Sequence, residues 1–128
     1  MRFPYQVLTF AYGAVLFCLM TVPPPFEKPE RLAALPIVAH VVLFAGMAAL
    51  VALGIRRSHE RVPPIVLFAV PVAASALYGL FLEVVQIGVP LRSFDWKDVG
   101  WDAAGAVGVQ VVLCRLVWKI RFRALLTW

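Results

Sequence analysis

Between Tyr78 and Gly105 the chain reads YGLFLEVVQIGVPLRSFDWKDVGWDAAG, placing Glu83, Gln86, Arg92, Asp95, Asp98 and Asp102 in an otherwise strongly apolar stretch. Ionisable groups near hydrocarbon are costly unless they are paired, bound to a ligand or engaged in chemistry. Glu83, Asp98 and Asp102 supply carboxylates, Arg92 a planar cation that bridges carboxylates through its forked donors, and His40, further upstream, an imidazole. These types suit proton exchange or recognition of a polar headgroup. No nucleophile elbow and no Gly-rich phosphate loop accompanies them, so catalysis is not the favoured expectation. His40, Glu83, Asp98 and Asp102 are also metal-ligand types, but neither H-E-x-x-H nor a Cys/His spacing occurs, and the expectation is no metal and no cofactor.

The elements that must position these residues follow from composition. Of 128 residues, 62% are hydrophobic and only 15% charged, against about 45–50% and 25% in soluble domains. A small core cannot hide that excess, so the bilayer must act as solvent. Crossing it takes about 17–25 apolar residues per helix, and four segments satisfy this, at about 5–22, 36–55, 64–89 and 99–118. The first stops at Pro23-Pro24-Pro25, the second at Arg56-Arg57, and the fourth runs into KIRFR; Pro71 should kink the third. The expected fold is all-α, a four-transmembrane-helix bundle forming a single domain. The first span could instead be a signal peptide, but its apolar run is long, no A-x-A site follows and prolines occupy the cleavage region.

Basic residues orient this bundle. Arg2, Arg56, Arg57, Arg61, Arg115, Lys119, Arg121 and Arg123 fall on one side, against Lys28, Arg31, Arg92 and Lys97 on the other. The positive-inside bias puts both termini in the cytoplasm. Trp118 and Trp128 would then anchor the inner interface, and Trp96 and Trp101 the outer one. The net charge of +5 sits beside apolar runs, which suits anionic lipid headgroups and not nucleic acid. Cys18 and Cys114 lie within apolar runs and read as buried thiols.

With this topology Glu83 lies roughly 9 Å inside the outer end of the third span and Asp102 roughly 6 Å inside that of the fourth, by helical rise. His40 enters the second span at similar depth. Three helices thus bring acid, base and imidazole to one level of the outer leaflet. Ser75, Gly79, Glu83 and Gln86 share one stripe of the third helix, and Asp98, Asp102 and Gly105 one stripe of the fourth. The adjacent stripe Gly100, Ala104 and Gly108 is a small-xxx-small pattern, expected to dock the third helix against the fourth. Simpler roles stand beside these: an ion pair of Arg92 with Asp95 or Asp98 ordering the loop, Asp98 capping the fourth helix, and His40 or Glu83 serving as interhelical hydrogen-bonding groups.

At these positions the chain resembles the VanZ-like family of small multi-pass bacterial membrane proteins. AHVVLF supplies His40 and Phe44; YGLFLEVVQ supplies Tyr78, Gly79, Glu83 and Gln86; PLRSFDWKD supplies Pro90, Arg92, Ser93, Phe94 and Asp98; WDAAGAVG supplies Gly105 and Gly108. The resemblance covers roughly residues 36 to 110. Two positions depart from it: the acidic-basic pair before the His is replaced by Pro36 and Ile37, and the family's Asn falls at Asp102. The resemblance implies a bacterial cytoplasmic membrane location and, through the glycopeptide-resistance protein that names the family, an outward-facing site for a lipophilic glycopeptide such as teicoplanin or an envelope precursor. It implies no reaction. Two further readings compete with such a binding site: a structural accessory subunit within a larger respiratory or photosynthetic membrane assembly, and a small transporter or membrane enzyme working through its carboxylates.

Overall fold

The computed structural model describes residues 4–23, 34–59 and 61–119. Four helices run in chain order: α1 Tyr5–Thr21, α2 Ala34–Ser58, α3 Pro64–Gln86 and α4 Trp96–Val112, the last continuing as a π-helical turn, Leu113–Val117. There is no strand among the described residues. The four expected helices are therefore all present, with shifted ends.

Local chemistry accounts for the ends. Val22 precedes Pro23 and adopts extended backbone angles, because a proline disfavours the helical conformation of the residue before it. Pro63 and Pro64 open α3, where a missing N–H costs nothing. Pro71 is buried inside α3, and the helix continues through it to Gln86, three residues short of the expected end. The turn that follows ends on Leu91, whose φ of 60° lies in the left-handed region. Asp95 starts α4 by accepting the Lys97 backbone N–H on its side chain at 2.8 Å. The cap is thus Asp95 and not Asp98. Asp98 lies in the first helical turn, where the N-terminal dipole favours its charge.

Apolar side chains face outward along much of the bundle: Phe10 is 80% exposed, Leu116 72% and Leu77 66%. Such a surface suits contact with lipid or with another apolar protein face, not water. α2, α3 and α4 with its π-helical turn are each long and apolar enough to cross a membrane; α1, with 17 residues, is at the short limit of the spanning range. The core is small. Leu16, Met20, Phe44, Met47 and Leu82 are buried together, with Tyr12, Leu43 and Tyr78 packed against them.

α2 packs most extensively on α4 and α4 next on α3, whereas α1 lies against α2 and α3. Hydrogen bonds from side chains to the main chain fasten α1. The Tyr12 hydroxyl donates to the Leu43 carbonyl at 2.8 Å, and the Tyr78 hydroxyl to the Gly13 carbonyl at 2.6 Å. Gly46 leaves space for the Tyr12 ring. Opposite the α3–α4 loop, the Gln6 amide donates to Ser58 Oγ at 2.9 Å and the Arg57 guanidinium stacks over Tyr5.

The small residues divide in an unexpected way. A Cβ at Gly105 would collide with the main-chain carbonyl of Val41, and one at Gly79 with the Asp102 carboxylate. These two glycines make the close α2–α4 and α3–α4 approaches. Gly100, Ala104 and Gly108 do not: all three are exposed, and nothing lies within 4 Å of a Cβ at either glycine. That stripe looks out of the bundle, because the seam of α4 follows Asp102, Ala106 and Gln110, all buried. Arg2, Lys28, Arg31, Arg121, Arg123 and Trp128, which carry much of the orientation reading, lie outside the described residues.

Candidate functional site

The end of the bundle that bears the α3–α4 loop holds the polar cluster. His40 comes from α2 and Glu83 from α3, 5% and 1% exposed; Asp102 comes from α4, 1% exposed. The expected convergence is real. His40 Nδ1 lies 2.7 Å from Asp102 Oδ1, and His40 Nε2 lies 3.5 Å from Asp98 Oδ2, whose side chain is 28% exposed. The imidazole therefore bridges two carboxylates one turn apart on α4. Its far face is parallel to the Phe44 ring, with 6.2 Å between centroids and 5° between planes.

Glu83 does a different task. Its Oε2 accepts the backbone N–H of Asp95 at 2.8 Å, tying α3 to the residue that starts α4. Its other oxygen, Oε1, is buried without a hydrogen-bond partner among the described residues, as are Asp102 Oδ2 and Gln86 Nε2. Unpaired buried polar atoms are uncommon and call for an explanation. Ser75 Oγ in the middle of α3 and Gln110 Oε1 further along α4 are also unpartnered, so three of the five such atoms among the described residues belong to the polar end.

Gly79 explains how Asp102 fits. It follows Tyr78 directly, so one residue hooks α1 through its hydroxyl while the next yields room for the Asp102 carboxylate. Tyr78 therefore acts as a pin between α3 and α1, stacked on Phe81 and tilted against Phe44. It adds no polar group to the cluster.

Arg92 departs from expectation. Its guanidinium donates to the Val22 carbonyl at 3.3 and 3.4 Å and bridges no carboxylates among the described residues. The arginine anchors the α3–α4 loop to the end of α1, whose last carbonyls lack helical partners. With Arg92 elsewhere, the cluster of His40, Glu83, Asp98 and Asp102 sets three carboxyls against one imidazole. In a low-dielectric site that balance calls for protons or a bound cation.

One buried polar residue escaped the sequence reading. Gln110 is fully buried in α4 and its amide donates to the Ala48 carbonyl of α2 at 3.1 Å. It could have been found, because Asp98, Asp102, Ala106 and Gln110 are spaced by four.

A helical protein with an outward-facing apolar surface and three helices long and apolar enough to cross a membrane is a multi-pass membrane protein, here with an ionisable cluster buried near one end. The VanZ/LLP1 family model matches residues 6–118, nearly the whole chain, and the protein belongs to that family. No curated protein and no solved structure matches the chain.

Proposed function

We propose that this VanZ/LLP1-family protein is a non-enzymatic recognition protein of the bacterial cytoplasmic membrane, with both termini inside and the cluster of His40, Glu83, Asp98 and Asp102 opening toward the outer leaflet. Its ligand is the polar head of an amphiphile, such as a lipophilic glycopeptide or a lipid-linked envelope precursor. The observation that carries this reading is the gradient of exposure across the cluster: Glu83 and Asp102 are sealed, while Asp98 is partly open at the loop end. A purely structural network would be expected to satisfy its own atoms, whereas Glu83 Oε1 and Asp102 Oδ2 are left over.

Expression in a glycopeptide-susceptible bacterium tests it. The wild-type chain should shift teicoplanin susceptibility several-fold, and Glu83→Gln and Asp98→Asn should abolish the shift at equal membrane abundance. Variants that behave as wild type, or a wild-type chain without effect on any envelope-active amphiphile, would remove this function.

A second reading has its own observation. The exposed stripe of Gly100, Ala104 and Gly108 is shaped for close approach by another helix, which favours an accessory subunit inside a larger membrane assembly. Purification in mild detergent separates the two readings. Stoichiometric co-migration with larger subunits supports the accessory role, and a lone small species argues against it.

A further inference from the structure

We propose that His40, Glu83 and Asp98 form a binding site for one divalent transition-metal ion, of the zinc type, with Asp102 orienting the imidazole. Each of the three offers a donor atom, and these atoms lie within 4.8 Å of one another. They come from three different helices, which is why spacing along the chain does not reveal them.

Three independent features point the same way. The first is the unpartnered Glu83 Oε1, on a side chain that is 99% buried and belongs to the cluster. The second is the use of the imidazole. Asp102 Oδ1 engages Nδ1 at 2.7 Å, which leaves Nε2 directed at Asp98 Oδ2. A metal-bound histidine is commonly held in this manner, its other ring nitrogen donating to a carboxylate that fixes tautomer and orientation. The third is charge: a cluster rich in carboxyls, with no basic partner but His40 among the described residues, gains most from a small dication.

Geometry sets the adjustment needed. Donors about 2.1 Å from a common ion are at most about 4.2 Å apart. The separation of 3.5 Å between His40 Nε2 and Asp98 Oδ2 already meets that limit, and the Glu83 donor, within 4.8 Å of both, needs to approach by at most about 0.6 Å. One imidazole and two carboxylates select zinc-like ions over Mg2+ and Ca2+, which prefer oxygen alone. Three protein donors leave one place in a four-coordinate shell. The partial exposure of Asp98 puts that place at the loop end of the cluster, where a carboxylate or phosphate oxygen of an amphiphile head can enter. This last step rests on the recognition reading above; the ion site itself does not.

The test uses the full chain in detergent, freed of any affinity tag and stripped with chelator, then dialysed against Zn2+. About one Zn2+ per chain should be retained, and Mg2+ in excess should not displace it. X-ray absorption should show a nitrogen and oxygen shell without sulfur. His40→Ala, Glu83→Gln and Asp98→Asn should each weaken affinity by 100-fold or more, and Asp102→Asn by about 10- to 100-fold. Helix content by circular dichroism identifies variants that fail to fold, and the sulfur-free shell of the wild type stands without them. Retention that survives all three ligand substitutions, sulfur coordination through Cys18 or Cys114, or no retention by the folded wild type overturns the site. The last outcome leaves the susceptibility experiment standing. Conversely, a chain that holds Zn2+ but never alters susceptibility keeps the metal and loses the recognition role.

Discussion

Gly105→Ala should destabilise the protein more than any other glycine substitution in α4. The added methyl would fall on the Val41 main-chain carbonyl, and no rotamer change relieves a collision with backbone, so α2 and α4 must separate along the most extensive helix contact of the bundle. Overpacking of this type costs roughly 1–3 kcal/mol, and the rigid partner places Gly105→Ala at the upper end. Gly100→Ala and Gly108→Ala meet nothing within 4 Å and should stay within about 0.5 kcal/mol of wild type. Cys114 provides the readout: it is 1% exposed, so in a Cys18→Ser background its reaction with a thiol dye reports unfolding. Equal midpoints for Gly105→Ala and Gly108→Ala would show that the α2–α4 approach is looser than described.

Separating His40 from Asp102 has the second large effect. Removing one member of a buried ion pair typically costs about 3–5 kcal/mol, because the survivor is left buried without a partner. His40→Ala and Asp102→Ala should each fall near that range. The double variant should cost clearly less than their sum, since neither survivor remains; a coupling of about 1–3 kcal/mol is expected for groups in direct contact. Asp102→Asn keeps an oxygen that can accept from Nδ1 and should lose only about 1 kcal/mol. The same thiol-reaction midpoints measure the cycle, and strict additivity would mean that the contact contributes nothing to the fold.

Much of this architecture can be read from the chain because lipid imposes simple rules. Long apolar runs define the helices, and prolines or arginine pairs mark several of their ends. The convergence of His40, Glu83 and Asp102 follows from helical rise applied to three spans of known direction. Contacts to the main chain are what hydropathy and side-chain type do not encode. Arg92 looks like a partner for acids, yet it binds the Val22 carbonyl, because the loop end of α1 presents unfilled acceptors beside it. Glu83 looks unpaired until the N–H of Asp95 is seen to reach it. Asp98 and Asp95 are both plausible caps by type, and only the path of the turn after Leu91 decides between them. The two small-residue stripes of α4 differ by one position, Gly105 against Ala104, and spacing alone does not say which one meets the neighbours.

The habit of fastening helices through peptide groups has an evolutionary consequence. Tyr12, Tyr78, Arg92 and Gln110 each bind a carbonyl, and Glu83 accepts from an amide; every residue type offers that carbonyl, and every type but proline that amide. Leu43, Gly13, Val22, Ala48 and Asp95 can therefore drift without breaking these links. Correlated substitution between paired positions should be nearly silent for them. Of the links described, His40–Asp102 is the buried one with a side chain at both ends, and there a change on either side demands an answer from the other.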